Sequence, residues 1–98
     1  MLFHITHHHD EHTCPIHDAD VSHSYGKLLD SLNEHVTKVI GVWVDPGGHD
    51  FFIVVEAEEV TQISAGLFPI IPKGTARIQP VGDYAAMLAM RDQLAQNS

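Results

Sequence analysis

The chain reads as an α+β domain built on an antiparallel sheet, and three observations predict it. Residues 1–9 and 75–81 alternate along a strand-like period of two. The runs VIGVWVD (39–45) and DFFIVVE (50–56) are rich in β-branched residues and flank the turn signal Asp45-Pro46-Gly47-Gly48. Two stretches of helical spacing fall between the strands.

Taken in order, Met1–His9 is the first strand. Phe3, Ile5, His7 and His9 share one face, and Leu2, His4, Thr6 and His8 share the other. Asp10–Val21 contains Cys14-Pro15 and many short polar residues, so it reads as an ordered loop. Ser22 is placed to cap a helix whose stripe is Tyr25, Leu28, Leu29, Leu32 and Val36. Val39–Asp45 and Asp50–Glu56 form a hairpin. Glu58–Leu67 is a shorter helix with Val60, Ile63 and Leu67 on one side. Phe68–Lys73 carries two prolines and reads as an apolar loop that packs down. Thr75–Val81 is the last strand. Asp83 caps a final helix with the stripe Tyr84, Met87, Leu88 and Leu94.

The order β-α-β-β-α-β plus a C-terminal helix is the ferredoxin-like split βαβ plan, with the first strand between the third and fourth. Residues 1–98 make one such domain. Its helices cover one sheet face. Val, Trp and Phe populate both sides of the hairpin, so the other face also calls for cover, and a second subunit packing sheet to sheet supplies it. A monomer with an open, partly wet sheet is the alternative.

Composition narrows the function. Net charge is −8 with neutral histidines, which disfavours direct binding to nucleic acid or an anionic membrane surface. The single cysteine excludes an internal disulfide. No apolar run is long enough to span a bilayer, and MLFHITHHH lacks the pattern of a signal peptide, so a cytoplasmic location is expected.

Chemistry concentrates in residues 4–23, which hold seven of the nine histidines, the cysteine and four acids, with no lysine or arginine. Imidazole and thiolate are the ligands of zinc and copper. His7 and His9 leave one strand face with Cβ atoms about 6–7 Å apart, close enough to share a metal. Cys14 follows a four-residue loop and supplies a thiolate if that loop folds back. His12 or His17 is placed to complete the set, with His49 a weaker candidate in the hairpin turn. The competing explanation is a set of solvated histidines that take metal adventitiously. Clustered histidines also repel one another when protonated, which makes a pH response a third possibility without any metal. Arg77 and Gln79 share a face of the last strand. Arg77 either holds an anionic substrate beside the metal or pairs with Glu56 across the sheet, as a buried charge requires.

The opening MLFHITHHH, the step Thr13-Cys14-Pro15, the hairpin VIGVWVDPGGHDFFIVVEA and the strand GTARIQPV resemble a dimeric α/β-barrel, ferredoxin-like family of small uncharacterised proteins. Its N-terminal pattern, His-x-His followed by Thr-Cys-Pro, falls here on His7, His9 and Cys14. His4, His8, His12 and His17 lie beyond that pattern. The resemblance implies a fold and a homodimer. It names no reaction, because the wider superfamily includes monooxygenases, isomerases, haem proteins and members of no known activity. The leading expectation is therefore a homodimer that handles or senses copper or zinc. The alternatives are a small metalloenzyme or cofactor-independent enzyme working in the barrel cavity, and a non-catalytic dimer responding to pH.

Overall fold

The computed structural model describes residues 1–10 and 19–96, with side chains from residue 23 onward in the second stretch. Four strands, β1 (Leu2–His8), β2 (Lys38–Asp45), β3 (Asp50–Glu56) and β4 (Thr75–Val81), form one sheet in the order β2-β3-β1-β4. β1 is central and pairs antiparallel with both β3 and β4. This is the ferredoxin-like arrangement. Helices α1 (Ala19–Gly26), α2 (Leu28–His35), α3 (Val60–Gly66) and α4 (Tyr84–Gln96), with a short 3-10 turn at Ile71–Lys73 before β4, complete the element order.

Register follows from the alternation in β1. Phe3 lies opposite Val55, and Ile5 opposite Ile53. These four side chains turn to the same face and are buried with Leu28, Leu32, Ile63, Leu67 and Ile70. Each such side chain contributes about 1.5–3 kcal/mol when fully buried, so this one-sided core holds α2 and α3 to the sheet. Close packing of those two helices depends on Gly66. A Cβ there would come within 2.8 Å of Leu32 Cδ2 and 3.2 Å of Leu32 Cα.

The first helical segment departs from the single helix expected behind Ser22. α1 begins at Ala19, so Ser22 lies inside it, and the helix breaks at Lys27 before α2. Gly26 is a poor helix former, and the Lys27 amide bonds back only three residues, to the Ser24 carbonyl at 3.3 Å. That tight step puts Tyr25 and Leu28 on one face and rotates Leu29 out, where it is 50% exposed. α3 is shorter than the expected 58–67 span. Its entry is fixed by the Gln62 side chain, which accepts from the Glu58 and Glu59 amides at 2.7 and 3.1 Å. Val60, in its first turn, stays exposed while Ile63 and Leu67 are buried. Asp83 does cap α4, accepting from the Ala86 amide at 2.9 Å.

The second sheet face carries Leu2, His4, Thr6 and His8 from β1, Phe52 and Val54 from β3, Trp43 from β2, and Arg77 and Gln79 from β4. Among the described residues no helix lies across it. β2 contributes a bulge between Val39 and Gly41 that leaves Ile40 half exposed. The Trp43 indole lies over Gly41, where any Cβ would collide with the ring. Among the described residues, no helix is long and apolar enough to cross a membrane.

Candidate functional site

Strand alternation divides the histidine tract. His7 and His9 point into the helix-covered side and are 0% and 3% exposed, whereas His8 between them is exposed. His8 Nδ1 meets Asp50 Oδ1 at 2.8 Å on the surface. Adjacent imidazoles of the same sequence type thus occupy a dry environment and a wet one.

The dry side is a cage of rings. Tyr25 stacks on Phe51 with centroids 5.0 Å apart and planes inclined by 16°. His7 meets the edge of Tyr25 at 5.8 Å. His9 lies 5.5 Å from Tyr25 and 5.6 Å from Phe51. His49 adds a third imidazole, its centroid 5.2 Å from that of His9 in a T-shaped contact.

Two backbone features place these groups. The His7 Nε2–H donates to the Ile70 carbonyl at 3.1 Å. A carbonyl only accepts, so Nε2 carries the proton and Nδ1 of the neutral ring keeps its lone pair. His49 holds φ at 57°, the left-handed region that non-glycine residues seldom enter. Its carbonyl accepts from the His9 amide at 3.0 Å, which extends the β1–β3 pairing by one step and ties its ring to that of His9.

The electrostatics follow from burial. Desolvation holds the His7 pKa below the usual imidazole value, opposed by the Ile70 hydrogen bond and reinforced by His8. Desolvation also lowers His9, with His49, His7 and His8 adding like-charge repulsion. Both rings are therefore neutral near pH 7, the form that binds a metal or accepts a proton. The Nδ1 atoms of His7, His9 and His49 are buried with no hydrogen-bond partner among the described residues. A buried polar atom left without a partner costs about 1–3 kcal/mol, so these three rings are the energetically costly part of the cage.

The other candidates are distributed as follows. Cys14, His12 and His17 lie outside the described residues. His4 and His8 are on the second sheet face. Arg77 is there too, exposed and opposite Thr6, on the far side of the sheet from His7 and His9. Glu56 lies opposite Leu2, four residues along β1 from Thr6, so Arg77 and Glu56 do not meet. His35 is exposed and donates from Nδ1 to the Ser31 carbonyl at 2.8 Å. Asp45 serves the turn, accepting from the Gly48 amide at 3.1 Å. Among the described residues, no three His, Cys, Asp or Glu side chains are grouped to hold a metal ion.

His49 and Tyr25 were the residues hardest to find from sequence. The signal for His49 was the hairpin register: His8 pairs with Asp50, so the residue before Asp50 arrives beside the residue after His8. Tyr25 was visible only as a member of a helical stripe.

A groove of about 330 Å³ opens beside this cage, lined by His8, Asp10, Pro72, Lys73, Gly74 and Thr75. Gly74 separates it from His7. A Cβ at that position would run into the His8 carbonyl and come within 2.9 Å of His7 Cε1.

A family model described as "Domain of unknown function (DUF3303)" matches residues 1–95. The chain belongs to that family. No curated protein matches it. Among solved structures it is similar to the X-ray structure of protein Atu4242 from Agrobacterium tumefaciens, with 11% identity and a TM-score of 0.48 over 86% of this chain and 96% of that one.

Proposed function

We propose that this chain binds a transition metal, copper or zinc, at the buried His7–His9 pair with His49 beside it, and that it works in metal handling or sensing as a homodimer. The observation that supports this most is that the Nδ1 atoms of His7, His9 and His49 are buried with no hydrogen-bond partner among the described residues, the His9 and His49 rings lying 5.2 Å apart. His7 has the arrangement of a metal-ligating histidine: one ring nitrogen anchored on a backbone carbonyl, the other left as a lone pair. Cys14, five residues beyond His9 in sequence, is the candidate that completes the ligand set, with His12 and His17 behind it. Both metals suit imidazole and thiolate, and copper binds more tightly at equal geometry.

The test is elemental analysis and metal titration of untagged protein beside His7→Ala/His9→Ala, His49→Ala, Cys14→Ala and His35→Ala variants. The expected result is near-unit stoichiometry in the wild type and in His35→Ala, lost or much weakened in the others. Equal affinity in all five proteins overturns the site.

The groove at Gly74 supports a second reading, a small enzyme. Neutral His7 would serve as general base behind it, with Lys73 at its wall to hold an anionic group. Binding of a small carboxylate to metal-free protein, abolished by His7→Ala, would favour that reading over metal handling.

A further inference from the structure

Among the described residues α4 makes no substantial contact with the body of its own chain, and only Leu88 along it is half-buried. Met87, Met90 and Leu94 recur at i, i+3 and i+7, with Tyr84 and Leu88 flanking them and Arg91 the one charge among them, while Ala, Gln and Asp occupy the opposite side. Tyr84, Met87, Met90 and Leu94 are 59–74% exposed. A lone helix of α4's length, 13 residues, is marginal in water, so its stripe needs a surface to pack on.

Two measures of the whole chain say how much surface is waiting. The radius of gyration is 16.3 Å, against about 12.6 Å for a compact chain of this length. The accessible surface is 6492 Å² for 10.8 kDa, whereas a compact monomer of that mass exposes about 5,500 Å². The surplus of roughly 950 Å² is close to the ~800 Å² that each partner loses in a standard interface.

We infer that α4 is an arm that crosses to a second copy of this chain and lies on that copy's open sheet face, over Trp43 and Phe52. This rests on the homodimer proposed above, with the partner's α4 in place of its sheet as the cover of the open face, and is independent of the metal. The chemistry of the two surfaces agrees: a methionine-rich helix adapts to an irregular partner, and thioethers pack well on aromatic rings. The exchange is reciprocal, so each copy gives one helix and receives one, as a closed twofold pair requires.

Light-scattering mass measurement on the full chain tests this, with Met87→Lys/Leu94→Lys as the arm variant and Trp43→Lys as the face variant. Far-UV circular dichroism checks that each variant folds. The expected result is a dimeric wild type and two folded monomers. A dimeric arm variant beside a monomeric face variant overturns the arm and leaves a sheet-face dimer standing. A monomeric wild type overturns both the arm and the dimer, and leaves the metal titration unaffected. A photo-crosslinking residue at position 90 reads the contact directly. The expected product is a covalent dimer joined at the β2–β3 hairpin. Crosslinks confined to a single chain overturn the exchange.

Discussion

Replacing His49 with glycine separates a ligand from a packing residue. The wild-type residue sits at φ 57°, where an L side chain costs about 1–2 kcal/mol relative to glycine. Its buried Nδ1 lacks a partner among the described residues, which costs about another 1–3 kcal/mol. Against these stand the ring contact with His9, about 0.5–1.5 kcal/mol, and the greater freedom of glycine in the unfolded chain, about 0.5–1 kcal/mol. The balance is a metal-free His49→Gly protein about 1–2 kcal/mol more stable than the wild type, with Tm raised about 4–8 °C per kcal/mol. The same variant loses one imidazole from the site and binds zinc or copper at least about tenfold more weakly. Thermal melts of metal-free protein and a chelator-competition titration measure the two quantities. A variant that melts lower while keeping wild-type metal affinity refutes the reasoning and makes His49 a packing residue.

Three further outcomes are expected. His7→Ala removes a fully buried ring and the donor to the Ile70 carbonyl, so it should cost about 2–4 kcal/mol in urea unfolding. His8→Ala, losing a solvent-exposed pair with Asp50, should cost less than about 1 kcal/mol; similar losses for the two would contradict the dry and wet division of the tract. Gly74→Ala drives a Cβ into the His8 carbonyl and the His7 ring, an overpacking worth about 1–3 kcal/mol, and an unchanged urea midpoint would show that the 3-10 turn at Ile71–Lys73 before β4 yields freely. In metal-free protein the His7 and His9 pKa values are lowered by burial, so the unfolded chain takes up protons near pH 6.5 before the folded one does. Stability is then complete above about pH 6.5 and falls below it, by up to about 1.4 kcal/mol per pH unit for each histidine; equal urea midpoints at about pH 7.5 and 5.5 would count against their burial.

Much of the architecture was legible because the period-two pattern is strong. Phe3, Ile5, His7 and His9 do share the inner face, Asp45-Pro46-Gly47-Gly48 does turn the hairpin, and β1 does sit between β3 and β4. What escaped were effects of local backbone geometry on long-range placement. A break at Lys27 rotated Leu29 into solvent, and one left-handed residue brought His49 to His9. The Arg77–Glu56 pair failed on register: both lie on the second face, but four residues apart along β1. The His7 tautomer was beyond reach from sequence, since its partner carbonyl belongs to Ile70, 63 positions away in the chain.

That separation has a kinetic consequence. The strand carrying His7 and His9 is made first, yet both of its neighbours in the sheet and the carbonyl that orients His7 come from the second half of the chain. At about 5–20 residues per second, the ribosome needs roughly 3–13 s after His7 to add Ile70. Over that interval β1 has neither of its sheet partners nor the carbonyl that orients His7, and pairings of such long range are themselves slow to close. The buried placement of His7 and its fixed tautomer therefore exist only in the finished fold, and metal binding at the site proposed above would follow folding rather than precede it.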